Sequence, residues 1–132
     1  MLRISLLLLF LFVSTARMLP AQNISMEETL KYINRKLGGS STIDVVRGII
    51  IAKYNKNGEL IREDQVLCKS LDINSMNYDN KNRIFSINCN NKSDCVDRQI
   101  YHRRIQRDYK RLSFPVSLDE KGIQGMKKAF NT

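Results

Sequence analysis

The pair Asn57-Gly58 constrains the fold of this chain more than any other feature. Both residues tolerate positive φ, and the pair stands between two runs of extended-chain pattern, residues 48–54 and 59–62. Runs joined by Asn-Gly form a β-hairpin, because the tight turn between twisted strands requires positive φ at both central positions. The middle of the chain therefore predicts an antiparallel sheet.

Three later segments carry the β-branched and aromatic residues that are typical of strands. They are residues 66–73, 83–89 and 113–116. The Asn-rich stretch 74–82 separates the first two and is predicted to be a loop. Pro115 cannot donate a hydrogen bond to a strand ladder, so we expect the last segment to lie at the edge of a sheet.

A helix is predicted just before the first strand. Ser25 followed by Glu28 is a capping-box pattern. Apolar residues recur from there at spacings of four, three and four, which places them on one helix face. They are Met26, Leu30, Ile33 and Leu37. Gly38-Gly39 then ends the helix.

The C-terminal region predicts a second helix and completes the fold class. Asp119 or Ser117 can cap a helix that runs to about Phe130. A helix at each end with strands between them indicates an α+β domain, with an antiparallel sheet of about five to seven strands. The chain has 132 residues, which suits one domain, and we expect that domain to span residues 22–132.

Residues 1–21 are predicted to be a secretory signal peptide. Arg3 gives a positive start, and residues 4–13 form an apolar run of the length found in such signals. Cleavage after Ala16 and cleavage after Ala21 both fit, and we favour Ala21 because Pro20 breaks any continuing helix. An uncleaved anchor is the alternative, but the run is shorter than the roughly 20 residues of a spanning helix. We expect an exported protein, periplasmic or extracellular.

The cysteines agree with export, since disulfides persist in oxidising compartments. Of the three cysteines, Cys89 and Cys95 flank a polar, turn-forming stretch, so we predict a disulfide between them. Pairing of Cys68 with either one, and a chain without a disulfide, are the alternatives left open. With His102 as the only histidine, the spacing matches no zinc site. Neither a metal nor another cofactor is predicted.

The sequence contains no catalytic constellation. His102 stands among arginines without a carboxylate to orient it. Asp94 and Asp97 flank the predicted disulfide turn, where solvating the loop is the simpler role for them. Glycine-rich phosphate loops and HExxH patterns are missing from the sequence. We therefore expect no enzymatic activity, and the alternative is a small envelope or secreted enzyme or inhibitor with unrecognised site residues.

A basic segment in the C-terminal third gives the one functional hint. Its five cations surround a single acid, Asp108, and alternate with tyrosines. They are Arg103, Arg104, Arg107, Lys110 and Arg111. The apolar spacing fits a helix and a strand pair nearly equally, so the element stays undecided. Such a face can bind an anionic ligand, and a solvated face without a ligand is the alternative. Nucleic acid is not the expected target of an exported protein.

The order of these features resembles a group of small exported bacterial proteins of uncharacterised activity. The resemblance rests on the signal, on the helix sequence ETLKYINRKL at 28–37, on Cys89 and Cys95 in a hairpin-rich middle, and on Ala129-Phe130 in a final helix. It implies a pleckstrin-homology-like sheet and carries over no functional residue. The final helix of such proteins extends past the Ala-Phe pair, which leaves truncation after Thr132 open.

These observations together indicate a non-enzymatic exported binding or interaction module. The basic segment is its candidate binding face. The expected partner is an anionic component of the cell envelope or another protein.

Overall fold

The structure, a computed structural model, describes residues 25–132. The predicted signal peptide and both of its cleavage sites lie outside the described residues. The elements in chain order are α1 (Met26–Leu37), β1 (Ser41–Val46), β2 (Ile49–Lys56), β3 (Glu59–Leu67), β4 (Asn77–Asp79), β5 (Ile84–Asn88), β6 (Val96–Ile100), β7 (Ile105–Tyr109), β8 (Arg111–Pro115) and α2 (Glu120–Phe130). This arrangement confirms the predicted α+β class with a helix at each end.

The strands of the described chain form two sheets. The first has five strands in the order β1-β2-β3-β6-β7, and the second has three in the order β4-β5-β8. All neighbouring strands pair antiparallel. A single residue, Lys110, joins β7 of the first sheet to β8 of the second. As Pro115 predicts, β8 lies at the edge of its sheet.

Side-chain caps begin both helices. The Ser25 hydroxyl accepts a hydrogen bond from the Glu28 N–H at 3.2 Å, and an Asp119 carboxylate oxygen accepts one from the Gly122 N–H at 2.6 Å. The apolar face predicted for α1 is buried or half-buried except at Met26, which is 55% exposed. Neither helix is long and apolar enough to cross a membrane, and the same is true throughout the described residues.

One helix also closes an edge of the first sheet. The Asn34 side chain of α1 donates from Nδ2 to the Ile43 carbonyl at 3.0 Å. Its Oδ1 accepts from the Ile43 N–H at 2.7 Å. These are the backbone groups that β1 would otherwise present to a further strand. The β1 edge is therefore blocked at this position.

The predicted hairpin is present, and two later segments differ from expectation. Asn57 and Gly58 form the turn between β2 and β3 with φ of 53° and 77°. β3 ends at Leu67, before the end of the predicted strand 66–73, because residues 68–70 turn as a 3₁₀ helix in which the Leu71 N–H donates to the Cys68 carbonyl. The predicted loop 74–82 contains the three-residue β4. The 3₁₀ turn and β4 are each three residues long, which is too short for the spacing of apolar residues to distinguish a strand from a loop.

A stack of aromatic rings links α2 to both sheets. Phe130 of α2 stacks on Phe85 at 5.7 Å and on Phe114 at 6.1 Å between ring centroids. Phe114 also stacks on Tyr54 of the first sheet at 5.8 Å. Phe85 and Phe114 are fully buried. The two sheets and α2 therefore share one hydrophobic core.

The structure confirms the predicted disulfide between Cys89 and Cys95. The bridge spans the turn that leads from the end of β5 into β6. Cys68 is a free cysteine on the surface.

We expect this disulfide to contribute about 2 kcal/mol to the free energy of unfolding, because it closes a loop of roughly seven residues. A variant with Ser at both Cys89 and Cys95 should lose that amount in urea unfolding. Cys68→Ser is the control, and it should change the value by less than about 0.5 kcal/mol because the thiol is exposed. Reductant should destabilise the wild type and the control only; an equal effect on the double variant would contradict the assignment.

Candidate functional site

A buried carboxylate is held by two arginines in the centre of the first sheet. Asp64 on β3 has no solvent exposure. Arg62 donates to its two oxygens from Nε at 3.0 Å and from Nη2 at 2.6 Å. Arg98 on β6 does the same from Nε at 2.9 Å and from Nη2 at 3.1 Å. Asp64 thus forms two bidentate, charge-assisted pairs, which offset the cost of burying its charge.

Strand register brings these side chains together. Asp64 lies directly opposite Arg98 in the pairing of β3 with β6. Arg62 precedes Asp64 by two positions and therefore faces the same side of the sheet. Tyr54 on β2 lies opposite Arg62. We call these four residues the Arg–Asp cluster.

Tyr54 ties the Arg–Asp cluster to the second sheet. Its hydroxyl donates to the carbonyl of Ser113 on β8 at 2.7 Å, and Arg62 Nη2 donates to the same carbonyl at 3.4 Å. Burial, followed by the nearby charge of Asp64, raises the pKa of Tyr54 above its ordinary value. The phenol therefore stays protonated and keeps its role as a hydrogen-bond donor.

The Arg–Asp cluster has an excess of positive charge, since it holds two guanidinium groups and one carboxylate. The Arg62 guanidinium lies 3.9 Å from the centroid of the Tyr54 ring, and that of Arg98 lies 4.1 Å from the centroid of Tyr109. Aromatic faces of this kind attract cations. The Arg98 side chain is only 11% exposed, so its orientation is fixed from both sides.

A surface cleft of about 500 Å³ opens beside Arg98. Its walls include Asp94, Arg98, Asp108, Tyr109, Lys110 and Arg111. We call it the β7–β8 cleft, because most of its lining comes from the end of β7, the start of β8 and the residue between them. It is the place where the buried Arg–Asp cluster meets the surface.

The five basic residues predicted from sequence fall into separate groups. The basic segment forms a strand hairpin, and the helix alternative is thereby excluded. Arg103 and Arg104 lie in its turn, Arg107 lies in the middle of β7, and Lys110 and Arg111 follow at the far end. Five strand residues span about 17 Å. Of the five, the β7–β8 cleft includes Lys110 and Arg111 and leaves out Arg107 and the two turn arginines.

Sequence reasoning missed Arg62, Asp64 and Arg98. The alternation of side chains along a strand contains a signal for them. Arg62 and Asp64 face the same side of β3 as the buried Val66. Arg98 faces the same side of β6 as the buried Val96. A charged side chain at a position that faces the interior requires a partner. The partner itself is not visible in a local pattern, since Asp64 and Arg98 lie 34 residues apart.

The other candidates from sequence do not converge on one place. His102 is exposed in the hairpin turn. Asp97 is exposed and accepts a hydrogen bond from Gln106 Nε2 at 3.2 Å, whereas Asp94 lines the β7–β8 cleft. Among residues 25–132, no group of three or more His, Cys, Asp or Glu side chains is arranged to hold a metal ion.

Three comparisons with known proteins find no match for this chain. A scan against protein-family models returns none. Searches of curated proteins and of solved structures also return none. The similarity to a pleckstrin-homology-like family stays a prediction.

Asp64→Asn should lower the free energy of unfolding by about 3–5 kcal/mol, because it leaves two guanidinium groups without their counter-charge in the protein interior. Asp97→Asn removes an exposed carboxylate from the neighbouring strand and should change the value by less than about 0.5 kcal/mol. Urea unfolding of both variants measures the difference. Equal stability of the two variants would show that the Arg–Asp cluster has no structural role.

Stability should also fall as the pH rises above about 10. The pKa of Tyr54 is higher in the folded state than in the unfolded chain. The unfolded chain therefore loses this proton at a lower pH, and the loss stabilises the unfolded state relative to the folded one. Tyr54→Phe should reduce the alkaline decline, and it should cost about 1 kcal/mol at neutral pH through the lost hydrogen bond. Tyr78→Phe removes the hydroxyl that donates to Val116 and should keep the decline. Urea unfolding between pH 8 and pH 11 compares them.

Proposed function

We propose that this chain is an exported, non-enzymatic binding module whose β7–β8 cleft holds an anionic group. The observation that carries the proposal is the group of cations that line the cleft, Arg98, Lys110 and Arg111, with Arg107 nearby. Arg107 on β7 lies directly opposite Arg98 on β6. Like charges opposite each other on neighbouring strands are destabilising, and an anion beside them removes that repulsion.

The Arg–Asp cluster supplies no counter-charge for Arg107. Asp64 already accepts both of its bidentate pairs from Arg62 and Arg98. Arg107 forms no salt bridge with any described residue. Lys110 and Arg111 add two cations to Arg98 in the cleft lining, which also includes Asp94 and Asp108. The balance favours an anionic ligand.

Arg98 is suited to bind such a ligand because it is already in place. Asp64 fixes two of its nitrogens, and Tyr109 lies against its face. Its Nη1 has no hydrogen-bond partner among the described residues, so the guanidinium keeps donors for a carboxylate, phosphate or sulfate oxygen. A donor that is ordered before binding loses little conformational entropy when the ligand arrives.

Binding without chemistry fits the same geometry. Asp64, the one buried carboxylate among residues 25–132, is sealed from solvent and saturated with hydrogen bonds, so it has no lone pair oriented toward a substrate. Export is supported by the signal pattern of residues 1–21 and by the Cys89–Cys95 disulfide.

The double variant Lys110→Gln, Arg111→Gln should bind tripolyphosphate roughly tenfold more weakly than the wild type, because each of these exposed cations contributes about 0.5–1 kcal/mol. The matched control is Arg103→Gln, Arg104→Gln, which removes the same charge from the hairpin turn. Its affinity should change less than about twofold at 0.15 M salt, where charges farther than roughly 8 Å are screened. Calorimetric titration gives both constants. Equal losses in the two variants would indicate a solvated basic face without a site.

A further inference from the structure

The two edges of the five-stranded sheet differ in protection. At the β1 edge, Asn34 occupies the backbone groups of Ile43. At the β7 edge, the described residues contain no strand or side chain that pairs with the outer backbone of β7. Open edges of this kind are where an additional strand can pair.

The alternation of backbone hydrogen bonds along β6 shows which residues of β7 have N–H and C=O groups without a partner in the sheet. The Tyr101 N–H donates to the Ile61 carbonyl at 3.0 Å, so the odd-numbered residues of β6 bond toward β3. The even-numbered residues of β6 must then bond toward β7, since the two sides alternate in an antiparallel ladder. In the register of β6 with β7, Gln106 and Asp108 lie opposite odd-numbered residues. Their backbone N–H and C=O groups therefore point away from the sheet.

The two faces of β7 at this edge carry opposite charge. Arg107 faces the interior side together with Ile105 and Tyr109, whereas Gln106 and Asp108 face the outer side. A strand added here meets a cation on one face and a carboxylate on the other. A strand that pairs charges favourably with Arg107 and brings no like charge next to Asp108 has acidic residues on the first face and uncharged residues on the second. Acidic and uncharged residues then alternate along its sequence.

Two other occupants have the wrong charge for this edge. A second copy that paired through its own β7 would bring both basic segments together. Residues 1–24 of this chain contain two arginines and no acidic residue. The occupant must therefore supply the negative charge from another chain.

We propose that β7 accepts an extended segment of a partner protein as an added strand, and that acidic and uncharged residues alternate in this segment. The proposal rests on the proposed function, because one acidic side chain of the segment enters the β7–β8 cleft, whose lining includes Arg98, Lys110 and Arg111. The backbone of the segment pairs with the open groups of Gln106 and Asp108. Affinity comes from main-chain hydrogen bonds and the charge pairs, and specificity comes from the alternation.

The probe is a blocked six-residue peptide that alternates Glu and Val, and its binding is measured by fluorescence anisotropy. Two peptides of equal charge serve as controls: one has Glu and Val in separate blocks, and the other carries N-methyl groups on alternate amides. We expect both controls to bind at least roughly tenfold more weakly, because each lost hydrogen bond or charge pair contributes about 1 kcal/mol.

The protein variants are Gln106→Pro and Gln106→Ala. Proline is tolerated on an edge strand where the N–H faces solvent, so Gln106→Pro should keep the fold and lose roughly tenfold in peptide affinity, while Gln106→Ala keeps the N–H and the affinity. Hydrogen exchange on the wild type gives a second readout. Peptide should protect the amides of Gln106 and Asp108 more strongly than the amide of Arg107, which already bonds to β6.

The outcomes separate this proposal from the proposed function. Equal affinity for all three peptides, or unchanged exchange at Gln106 and Asp108, overturns strand addition. If the alternating peptide does not bind while tripolyphosphate binding still depends on Lys110 and Arg111, the anion site stands and the added strand is wrong. If the alternating peptide does not bind and tripolyphosphate binding does not depend on Lys110 and Arg111, both proposals are wrong.

Discussion

The burial of Asp64 between two arginines is the constraint on which the rest of this fold depends. An unpaired carboxylate in the interior of a protein costs several kcal/mol, so β3 can be central only in a register that supplies a counter-charge. Asp64 opposite Arg98 is that register. A slip of β3 by one residue would turn Asp64 and Arg62 together to the other face of the sheet and leave Arg98 without its carboxylate. The ion pairs therefore select one alignment of β3 with β6.

The same interaction decides how the two sheets meet. Arg62 and Tyr54 both donate to the Ser113 carbonyl on β8, which is a backbone group on the side of β8 that has no strand neighbour. At this edge of the second sheet, the Ser113 carbonyl is thus satisfied by side chains of the first. This junction leaves the opening beside Arg98 that we call the β7–β8 cleft. A structural cluster and a candidate binding site share Arg98, which Asp64 and Tyr109 hold in place.

Short sequence patterns were sufficient to predict much of the fold, but they could not predict the candidate site. Asn57-Gly58, the capping pattern of Ser25, and the Cys89–Cys95 pair each depend on residues close in sequence, and each is confirmed. The basic segment could not be assigned, because its apolar residues recur at a spacing that suits a helix as well as alternate strand positions. The Arg–Asp cluster depends on which strand lies beside β3. That choice is made by long-range pairing, which no local window contains.

The cations of the basic segment, which includes β7, have two consequences that follow from one physical cause. Charged residues on an edge strand hinder pairing with a second copy of the same chain, because the like charges of the two copies would be brought together. The potential that repels a copy attracts a segment of opposite charge, and it does so over the distance set by the ionic strength. The β1 edge has no such arrangement and is closed by Asn34 instead. A sheet that needed only protection from aggregation could close both edges with side chains from its own helices. The open edge of β7, which the cations of the basic segment flank, is therefore the place where we propose that a partner binds.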